Sequence, residues 1–370
     1  MMYFHFKGCG ACIQMEKTTF KDKNVIPFFN TNFINFEVNT LEDNAAEILK
    51  IHNVRMQPTF LFFDPNGNEL HKMVGFFSPQ EFQEQATNAV KNTMNLSNYK
   101  KLYSLGKREP DFLFDYAYML RDAFELDSTL VNEYLNSIDK EDYKQEKNIK
   151  FIYEFCIYNF SIFLPYNNPR FEFMLNNKEL FYTRFDSVQV KARIIWILDF
   201  AIHKAIDEND EQTFRQGIQA IKDFDRGESY NFKELDGRIT GTIGKNQVLY
   251  AMLCYYDKMG DRSNYSIALN QYLSKLWDDA DALNNFAWDT YEKAKENETE
   301  KIQAGLKSVV RSIELDNIYK SNDTYAWLLY KSGKKEKALI QAQKAIEIAK
   351  KNSKNYRETS KLIELIESEK

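Results

Sequence analysis

Two cysteines at positions 9 and 12 constrain this chain most strongly, because of the elements on either side of them. The motif Cys9-Gly10-Ala11-Cys12 follows the apolar run Tyr3-Phe4-His5-Phe6 and opens the helix-like stretch 13–17. A helix N-terminus carries unpaired N–H groups and the positive end of the helix dipole, which stabilise a thiolate at the first cysteine. The second cysteine lies one turn further on the same face, within reach of a disulfide bond. The pattern predicts a redox site at a strand–helix junction.

A zinc site is the main alternative for a C-x-x-C motif. Structural zinc normally takes four protein ligands, and the sequence offers no second cysteine pair and no clustered histidine pair. The remaining cysteines, Cys156 and Cys254, lie in apolar helix-like segments and are predicted to be buried core residues. We therefore expect no metal ion and no cofactor other than a redox-active Cys9–Cys12 disulfide. The alternative for the cysteine pair is a purely structural disulfide without redox activity.

Length and composition indicate more than one domain and a helix-rich chain. At 370 residues the chain exceeds one comfortable domain, and its 13 Gly and 7 Pro are few beside 22 Tyr and 29 Phe. The net charge of -5 is spread along the chain without a basic block, so nucleic acid is not an expected partner. No long apolar run is present, so no membrane span is predicted, and the first residues lack the pattern of a signal peptide.

The first 92 residues predict an alternating α/β domain in the order strand, helix, strand, helix, strand, strand, helix. Strands are predicted at 33–38, 59–63 and 69–74, and a helix with apolar residues at helical spacing at 42–52. The segment 64–68 has turn chemistry and joins the last two strands as a hairpin. Ser78-Pro79-Gln80-Glu81 predicts the start of the last helix, with Ser78 and Glu81 forming a capping box.

Beyond residue 95 the strand signals stop, and 96–370 is predicted to be an all-helical domain. Helices are expected at 111–124, 128–138, 141–160 and 188–205. A weak internal repeat relates 286–291 to 325–330, each followed by a second helix, at 304–315 and 337–349. The small residues of the later copy are similar to the tetratricopeptide pattern, which predicts paired helices at about 282–350.

A second motif, Met56-Gln57-Pro58-Thr59, places a proline directly before an apolar strand. Together with the cysteine motif, the hairpin and the final helix, it makes the N-terminal quarter of the chain resemble the thioredoxin superfamily. The resemblance implies that Pro58 is a cis-proline packed against the cysteine pair and that the backbone at Gln57 pairs with substrate as an added strand. It also implies that Gly10 and Ala11, between the cysteines, tune the redox potential.

More narrowly, the chain is similar to thioredoxin-like proteins of Bacteroidetes that carry a helical or tetratricopeptide-like extension. The segment 108–117 of this chain resembles the beginning of that extension. This implies an exported, periplasmic protein whose leader lies upstream of Met1; as written, the chain would stay in the cytoplasm. Family members usually have a further strand and helix before the first strand seen here. We therefore expect the N-terminus to be incomplete and one edge of the 3–6 strand to be uncovered.

We interpret the chain as a thiol–disulfide oxidoreductase that acts on protein disulfides through Cys-Gly-Ala-Cys. An exposed Cys9 attacks the substrate disulfide, and a more buried Cys12 resolves the mixed disulfide. The expected partners are protein or peptide thiols and disulfides, a redox partner protein, and a peptide or protein held on the helical domain. The alternative is a tetratricopeptide-type interaction or scaffold protein with a non-catalytic thioredoxin-like domain. Insulin reduction distinguishes the two.

Overall fold

The computed structural model describes residues 1–42, 45–91, 94–158, 161–225, 230–234, 239–243 and 246–369. The chain divides into two compact units, residues 1–184 and 185–370. The predicted domain boundary between 92 and 96 lies inside the first unit, and residues 92 and 93 are outside the described ranges. That boundary stays a prediction. Within the described ranges, no helix combines the length and apolar character needed to cross a bilayer.

The first unit begins with the sheet and the helices that pack on it. In chain order these elements are β1 (Met2–His5), α1 (Gly10–Lys17), a 3-10 turn (Thr19–Lys21), α2 (Val25–Asn32), β2 (Phe36–Asn39), α3 (Ala45–Ile51), β3 (Thr59–Phe63), β4 (Glu69–Val74) and α4 (Pro79–Val90). The predicted order of strands and helices is confirmed, and α2 is an addition. The second strand begins at Phe36 rather than at 33, and of the helix predicted at 42–52 residues 43 and 44 lie outside the described ranges. A separate helix begins there because the Asp22 carboxylate accepts hydrogen bonds from the N–H groups of Asn24 and Val25, which opens a new helical turn.

The four strands lie in the order β2-β1-β3-β4. β1 runs parallel to β2, with Met2 opposite Phe36, and antiparallel to β3, with Met2 opposite Leu61. β3 and β4 form the predicted antiparallel hairpin. The expectation that β1 has an uncovered edge is wrong, because the crossover through α1 and α2 brings β2 alongside it. Within this four-stranded sheet the edge strands are β2 and β4.

Side chains of the sheet alternate between two apolar clusters. Tyr3, Phe60 and Phe62 belong to the cluster that contains the cysteine pair and buried residues of α4. Phe4 and Leu61 point to the opposite face and pack with Ala45 of α3 and its neighbours. Both faces of the central strands are therefore covered, which explains why β3 is a continuous apolar run rather than an alternating one.

Helix α4 begins where the capping signal predicts. Ser78 is the N-cap, its hydroxyl oxygen accepts the Glu81 N–H, and the Glu81 carboxylate accepts the Ser78 N–H at 3.0 Å. Pro79 occupies the first helical position, where its missing N–H costs no hydrogen bond. The predicted capping box is confirmed.

The remainder of the first unit is mainly helical. Its elements are α5 (Leu96–Ser104), α6 (Pro110–Asp122), α7 (Ser128–Asn136), a 3-10 turn (Lys140–Lys144), α8 (Glu146–Cys156), β5 (Ile157–Tyr158), β6 (Ser161–Ile162), α9 (Pro169–Asn176) and α10 (Lys178–Tyr182). The predicted helix at 141–160 is wrong at both ends. A 3-10 turn precedes α8, and the chain becomes extended at Ile157 because β5 pairs with β6 in a short hairpin.

The second unit consists of helices and one hairpin. Its elements are α11 (Ser187–Glu208), α12 (Glu211–Asp225), β7 (Tyr230–Glu234), β8 (Ile239–Ile243), α13 (Gln247–Met259), α14 (Arg262–Leu276), α15 (Ala280–Lys293), α16 (Thr299–Leu315), α17 (Tyr319–Lys331), α18 (Lys335–Lys351) and α19 (Arg357–Ser368). The antiparallel pair β7–β8 corrects the expectation of a purely helical extension.

The repeat predicted near the C-terminus corresponds to two helix pairs, α15 with α16 and α17 with α18. Ala326, Ala338 and Ala345 are completely buried, as expected where two helices approach closely. At Gly305 of α16 an added Cβ atom would lie 2.9 Å from Thr290 Cγ2 of α15, so only glycine fits this contact. The aromatic residues of the repeat link the pairs, with the rings of Tyr291 and Trp327 5.3 Å apart.

Candidate functional site

The cysteine pair lies at the start of α1 and forms a disulfide. Cys9 and Cys12 are bonded, with their Cα atoms 5.3 Å apart. Cys9 is the N-cap residue of the helix, and the Cys12 N–H points to its Sγ atom at 3.2 Å. An N–H group and the positive end of the helix dipole therefore face the sulfur atom of Cys9, which favours negative charge there when the disulfide is reduced.

The two sulfur positions differ in exposure, but less than the sequence predicts. Cys9 is 6% exposed and Cys12 is 1% exposed, so the expectation of an exposed Cys9 is wrong. Cys9 is covered because the loop before β3 lies against it, with Cys9 Sγ 3.7 Å from the carbonyl oxygen of Gln57. Cys12 packs deeper, in the cluster that includes Met15 and Phe77. Of the two residues, Cys9 remains the more accessible.

The loop against Cys9 contains the Gln57–Pro58 peptide bond, which is cis. Its position is fixed at both ends by hydrogen bonds. The Thr59 hydroxyl donates to the Met56 carbonyl at 2.6 Å, and the Gly75 N–H donates to the Pro58 carbonyl at 2.8 Å. The structure thus brings together Gln57, Pro58 and Cys9, which are far apart in the sequence.

The residues between the cysteines have different surroundings. Gly10 is exposed, and an added Cβ atom would meet no atom within 4 Å. Ala11 is half-buried and packs against the cluster that contains the cysteines. A side chain at position 10 would therefore extend into open space, whereas one at position 11 would contact the core.

A cavity of about 460 Å³ adjoins the cis-proline loop in the first unit. Arg55, Met56 and Val74 line one side, and the turn between α6 and α7, including Phe124 and Leu126, lines another. The sequence gives no indication of this cavity, because its walls come from segments that are distant along the chain. Each segment taken separately carries no signal of a pocket.

An ion pair between Lys72 and Glu125 lies beside the same cavity, which Lys72 helps to line. Lys72 of β4 is 3% exposed, and its Nζ atom lies 3.0 Å from Glu125 Oε1 and 3.1 Å from the Asn53 carbonyl oxygen. Although burial opposes it, hydrogen bonds from Lys100 and Lys72 hold the pKa of Glu125 below its usual range. The charge of Lys72 is thus compensated where strand β4 meets the helices of the first unit.

The two remaining cysteines differ from each other. Cys156 is completely buried, which confirms the prediction of a core residue. Cys254 is only partly buried, so the same prediction is wrong for it. It lies on α13, one turn after Tyr250, whose ring is 6.1 Å from that of His203 of α11.

The N-terminal part of the chain is similar to known thioredoxin-like proteins. The family model of the thioredoxin-like domain matches residues 1–89. Thiol:disulfide interchange protein DsbD of Yersinia pestis, from strain Pestoides F and from biovar Antiqua strain Antiqua, is 34% identical over 91 residues, or 24% of this chain. The match spans 15% of the length of each of these relatives. The crystal structure of yeast Tom70 matches 91% of this chain and 66% of that chain, with 13% identity and a TM-score of 0.29.

Proposed function

We propose that the thioredoxin-like domain of this chain is a thiol–disulfide oxidoreductase that acts on protein disulfides through Cys9 and Cys12. The observation that carries the proposal is the arrangement of two backbone groups around one sulfur atom. Cys9 Sγ faces the N–H of Cys12 at 3.2 Å and the carbonyl oxygen of Gln57 at 3.7 Å, beside the cis Gln57–Pro58 bond. The match of residues 1–89 to the thioredoxin-like family supports the same chemistry.

In the reductive direction, the reaction begins with the reduced pair. The Cys9 thiolate attacks one sulfur atom of the substrate disulfide, and the second substrate sulfur leaves as a thiolate and takes up a proton. Cys12 then loses its proton and attacks Cys9 Sγ, which closes the Cys9–Cys12 disulfide and releases the second substrate thiol. Two electrons pass from the cysteine pair to the substrate, and the reverse sequence oxidises a substrate dithiol. The reaction as proposed uses no cofactor besides this disulfide.

Gln57 and Pro58 bind the substrate next to the attacked bond. The carbonyl group of Gln57 faces Cys9, and a substrate backbone aligned with this loop would pair with it as an added strand. Gly10 and Ala11 tune the redox potential through the groups they place near the sulfur atoms. The cavity beside Arg55 and Met56 offers room for substrate side chains that flank the disulfide.

Insulin reduction with dithiothreitol as the electron source tests the proposal. We expect the full chain to accelerate insulin precipitation, and we expect Cys9→Ser to lower the rate to that of dithiothreitol alone. Cys12→Ser keeps the attacking thiol but lacks the resolving one, so a mixed disulfide with substrate should accumulate on Cys9. Cys156→Ser is a poor control because Cys156 is buried in the core, whereas Cys254→Ser is a matched control outside this site.

A second function is supported by the helix pairs of the second unit. α15 with α16 and α17 with α18 repeat the same packing of small residues, which is typical of helical repeats that bind peptides or proteins. On this alternative the protein is a tetratricopeptide-type interaction protein whose thioredoxin-like domain only binds. A full chain that binds partner proteins but fails to accelerate insulin reduction would support it and would exclude the oxidoreductase.

The site of action follows as part of the proposal. The resemblance to exported thioredoxin-like proteins favours the periplasm, where disulfides of protein substrates persist and a redox partner protein would renew the cysteine pair. Fractionation of cells that express the gene from its own start tests this. Recovery of the protein with cytoplasmic markers would support the alternative location.

A further inference from the structure

The cavity beside the cis-proline loop has more cationic than anionic side chains in its wall. Among the residues that the structure describes, Arg55 and Lys72 are the cations that line it, and Asp127 is the carboxylate. The groups that these three side chains already bind decide which kind of ligand the cavity accepts.

Arg55 is the cation that has no carboxylate beside it. Its side chain is exposed, and its Nε atom donates to Asn53 Oδ1 at 2.8 Å, which is a neutral acceptor. Within the described ranges of the chain Arg55 forms no ion pair. The guanidinium group carries further donors on its two terminal nitrogen atoms, so it can bind a carboxylate group through both of them.

Lys72 adds a second, buried cation to the same wall. Its Nζ atom donates to the Asn53 carbonyl oxygen at 3.1 Å and to Glu125 Oε1 at 3.0 Å. Lys100 donates to the other carboxylate oxygen of Glu125 at 2.7 Å, so two ammonium groups share one carboxylate. An ammonium group has three donors, and in the described part of the chain Lys72 uses two of them. The group of Lys72, Lys100 and Glu125 therefore keeps an excess of positive charge and a free donor.

The negative charge of Asp127 is directed to the helix that follows it. Asp127 is the N-cap of α7, and its Oδ1 atom accepts the N–H groups of Thr129 at 2.8 Å and Leu130 at 3.3 Å. The positive end of the helix dipole compensates a carboxylate in this position. Asp127 therefore does not neutralise Arg55, and the wall remains positively charged.

The rest of the wall is largely apolar, and it includes Met56, Val74, Leu126 and Ile162. The carbon atoms of a side chain that enters the cavity would pack on these residues. Its end would meet the donors of the cations, which satisfy a carboxylate and repel an ammonium group. The cavity thus favours a short acidic side chain over a basic one.

The position of Arg55 along the loop relates the cavity to the cysteine pair. Arg55 lies two residues before Gln57, whose carbonyl oxygen is 3.7 Å from Cys9 Sγ. An extended backbone advances about 3.3 Å per residue, so a substrate segment that follows this loop covers about 7 Å in two residues. A substrate whose cysteine is bonded to Cys9 therefore brings the residue two positions away to the neighbourhood of Arg55.

We propose that this cavity is a substrate subsite for an acidic side chain, and that Arg55 selects proteins with Asp or Glu two residues from the attacked cysteine. Arg55 binds the substrate carboxylate, the free donor of Lys72 adds to the positive field, and the apolar wall holds the methylene groups. The inference rests on the thiol–disulfide exchange proposed above for Cys9 and adds the class of substrate to it.

The test is a competition for Cys9 in the full chain with Cys12→Ser, which holds a mixed disulfide without resolving it. The probes are two disulfide-linked dimers of an alanine-based peptide with a central cysteine. One peptide has Glu two residues before and after the cysteine, and the other has Gln, which is neutral and of the same shape. Mass spectrometry measures the ratio of the two adducts on Cys9 at equilibrium. The same mixture with glutathione in place of the protein gives the intrinsic ratio, because a nearby carboxylate alters the reactivity of any disulfide.

We expect the corrected ratio to favour the Glu peptide about fivefold, which is the upper range for an ion pair of an exposed side chain. Arg55→Gln should bring the ratio close to one, and Arg55→Glu should make the Gln peptide the preferred one. Ser128→Trp places an indole ring at an exposed position that lines the cavity, so it should lower the ratio without a change of charge. Lys101→Gln is the matched control, because it removes a positive charge from an exposed position of α5 away from the cavity and should leave the ratio unchanged.

The outcomes separate this subsite from the function on which it rests. Equal adducts of the two peptides would overturn the subsite and leave the oxidoreductase standing. A preference for Glu that persists in Arg55→Gln would overturn the assignment to Arg55 and its cavity. A chain in which Cys9 forms no adduct with either peptide would overturn the oxidoreductase and the subsite together. The first and the last of these results need no variant of Arg55, so they hold whatever its substitution does to the fold.

Discussion

At the scale of single residues, the environments of Cys9 and Cys254 have different origins. The N–H group that faces Cys9 belongs to Cys12, three residues away on the same helix. The surroundings of Cys254 on α13 include helix α11, whose His203 ring lies 6.1 Å from the ring of Tyr250, one turn before Cys254. A helix start alone thus supplies part of the surroundings of Cys9, whereas the surroundings of Cys254 require two helices to pack in one register.

The order in which the paired cysteines react is a first prediction. After reduction, iodoacetamide at neutral pH should label Cys9 faster than Cys12, because Cys9 is the N-cap residue and the more exposed of the two. Peptide mass spectrometry at short reaction times measures the ratio. Faster labelling of Cys12 would show that the roles of the two cysteines have been assigned the wrong way round.

A second prediction concerns His71 of β4, a histidine in the core of the first unit. It is 1% exposed, its Nε2 atom lies 3.0 Å from Gln85 Oε1, and its Nδ1 atom accepts the Leu96 N–H at 3.2 Å. Burial lowers the pKa of His71 to about 4, although the hydrogen bond to Gln85 opposes it. The imidazole is therefore neutral in the folded protein at pH 7.

The sign of the pH effect follows from proton binding. Between about pH 6.5, where an unfolded histidine titrates, and pH 4, the unfolded chain binds more protons than the folded one. The contribution of His71 to the free energy of unfolding of the first unit should be fully present above pH 6.5. This free energy should fall by about 3 kcal/mol as the pH drops to 4. Urea titrations at several pH values, in which proteolytic cleavage within 59–90 reports unfolding, measure this free energy. His71→Gln should remove this part of the pH dependence and His52→Gln should not; equal slopes in wild type and His71→Gln would contradict it.

At the scale of elements, the close approach of paired helices limits which residues the second unit can have at their contacts. In the pair of α15 and α16, Gly305 lies against Thr290, and in the pair of α17 and α18 the small residues Ala326, Ala338 and Ala342 are completely buried. Helices packed through such small residues gain contact along their whole length but tolerate no added volume. The sequence repeat thus reflects the need for small residues where the paired helices touch.

Gly305→Ala tests this constraint against helix propensity. The substitution should stabilise an isolated helix by about 1 kcal/mol, but the new Cβ atom would lie 2.9 Å from Thr290 Cγ2, and overpacking costs about 1–3 kcal/mol. We expect a net loss of stability, measured by tryptophan fluorescence during unfolding. The four tryptophans that report on it all lie in the second unit: Trp196, Trp277, Trp288 and Trp327.

Two further variants identify the cause of that loss. Thr290→Ser removes the nearest methyl group and keeps a hydroxyl that can bond the Phe286 carbonyl, so combined with Gly305→Ala it should recover part of the stability. Lys344→Ala on the exposed face of α18 is the control and should have little effect. Stabilisation by Gly305→Ala alone would mean that helix propensity outweighs the contact.

At the scale of the whole molecule, the first unit joins the thioredoxin-like domain to the helices that follow it. The Lys72–Glu125 ion pair, the hydrogen bond from the Leu96 N–H to His71 and the hydrogen bond from Gln85 to Asp122 all cross the boundary predicted at 92–96. Each uses a side chain that is wholly or partly buried. These contacts tie α5 and α6 to the strand and helix on the sheet side.

Fragments of the chain test where the first unit ends. We expect residues 1–184 to unfold at a higher temperature than residues 1–92, because the shorter fragment lacks every partner named above and exposes the surface of β4. Thermal unfolding followed by circular dichroism measures the difference. Equal midpoints would support the boundary at 92–96 and would show that the contacts across it add nothing to the stability of the thioredoxin-like domain.

The sequence by itself determined the features that depend on neighbouring residues. The capping box at Ser78, the strand Thr59–Phe63, the hairpin to Glu69–Val74 and the helical positions of the repeat follow from local backbone preferences and from the period of apolar residues. The cysteine motif at a helix start is local in the same sense. These patterns predict an α/β domain followed by helices, and the resemblance of its two motifs to the thioredoxin superfamily implies the thioredoxin-like fold.

Tertiary structure alone decided which distant segments meet. It paired β1 on both sides, covered Cys9 with the Gln57 loop, and placed His203 of α11 beside Tyr250 of α13. It also ended α8 at Cys156, because extended pairing with the next segment replaced the helical hydrogen bonds there. Periodicity reports which face of an element is buried but not what lies against it. Contacts of this kind depend on the docking of whole elements, so no local pattern of residues could reveal them.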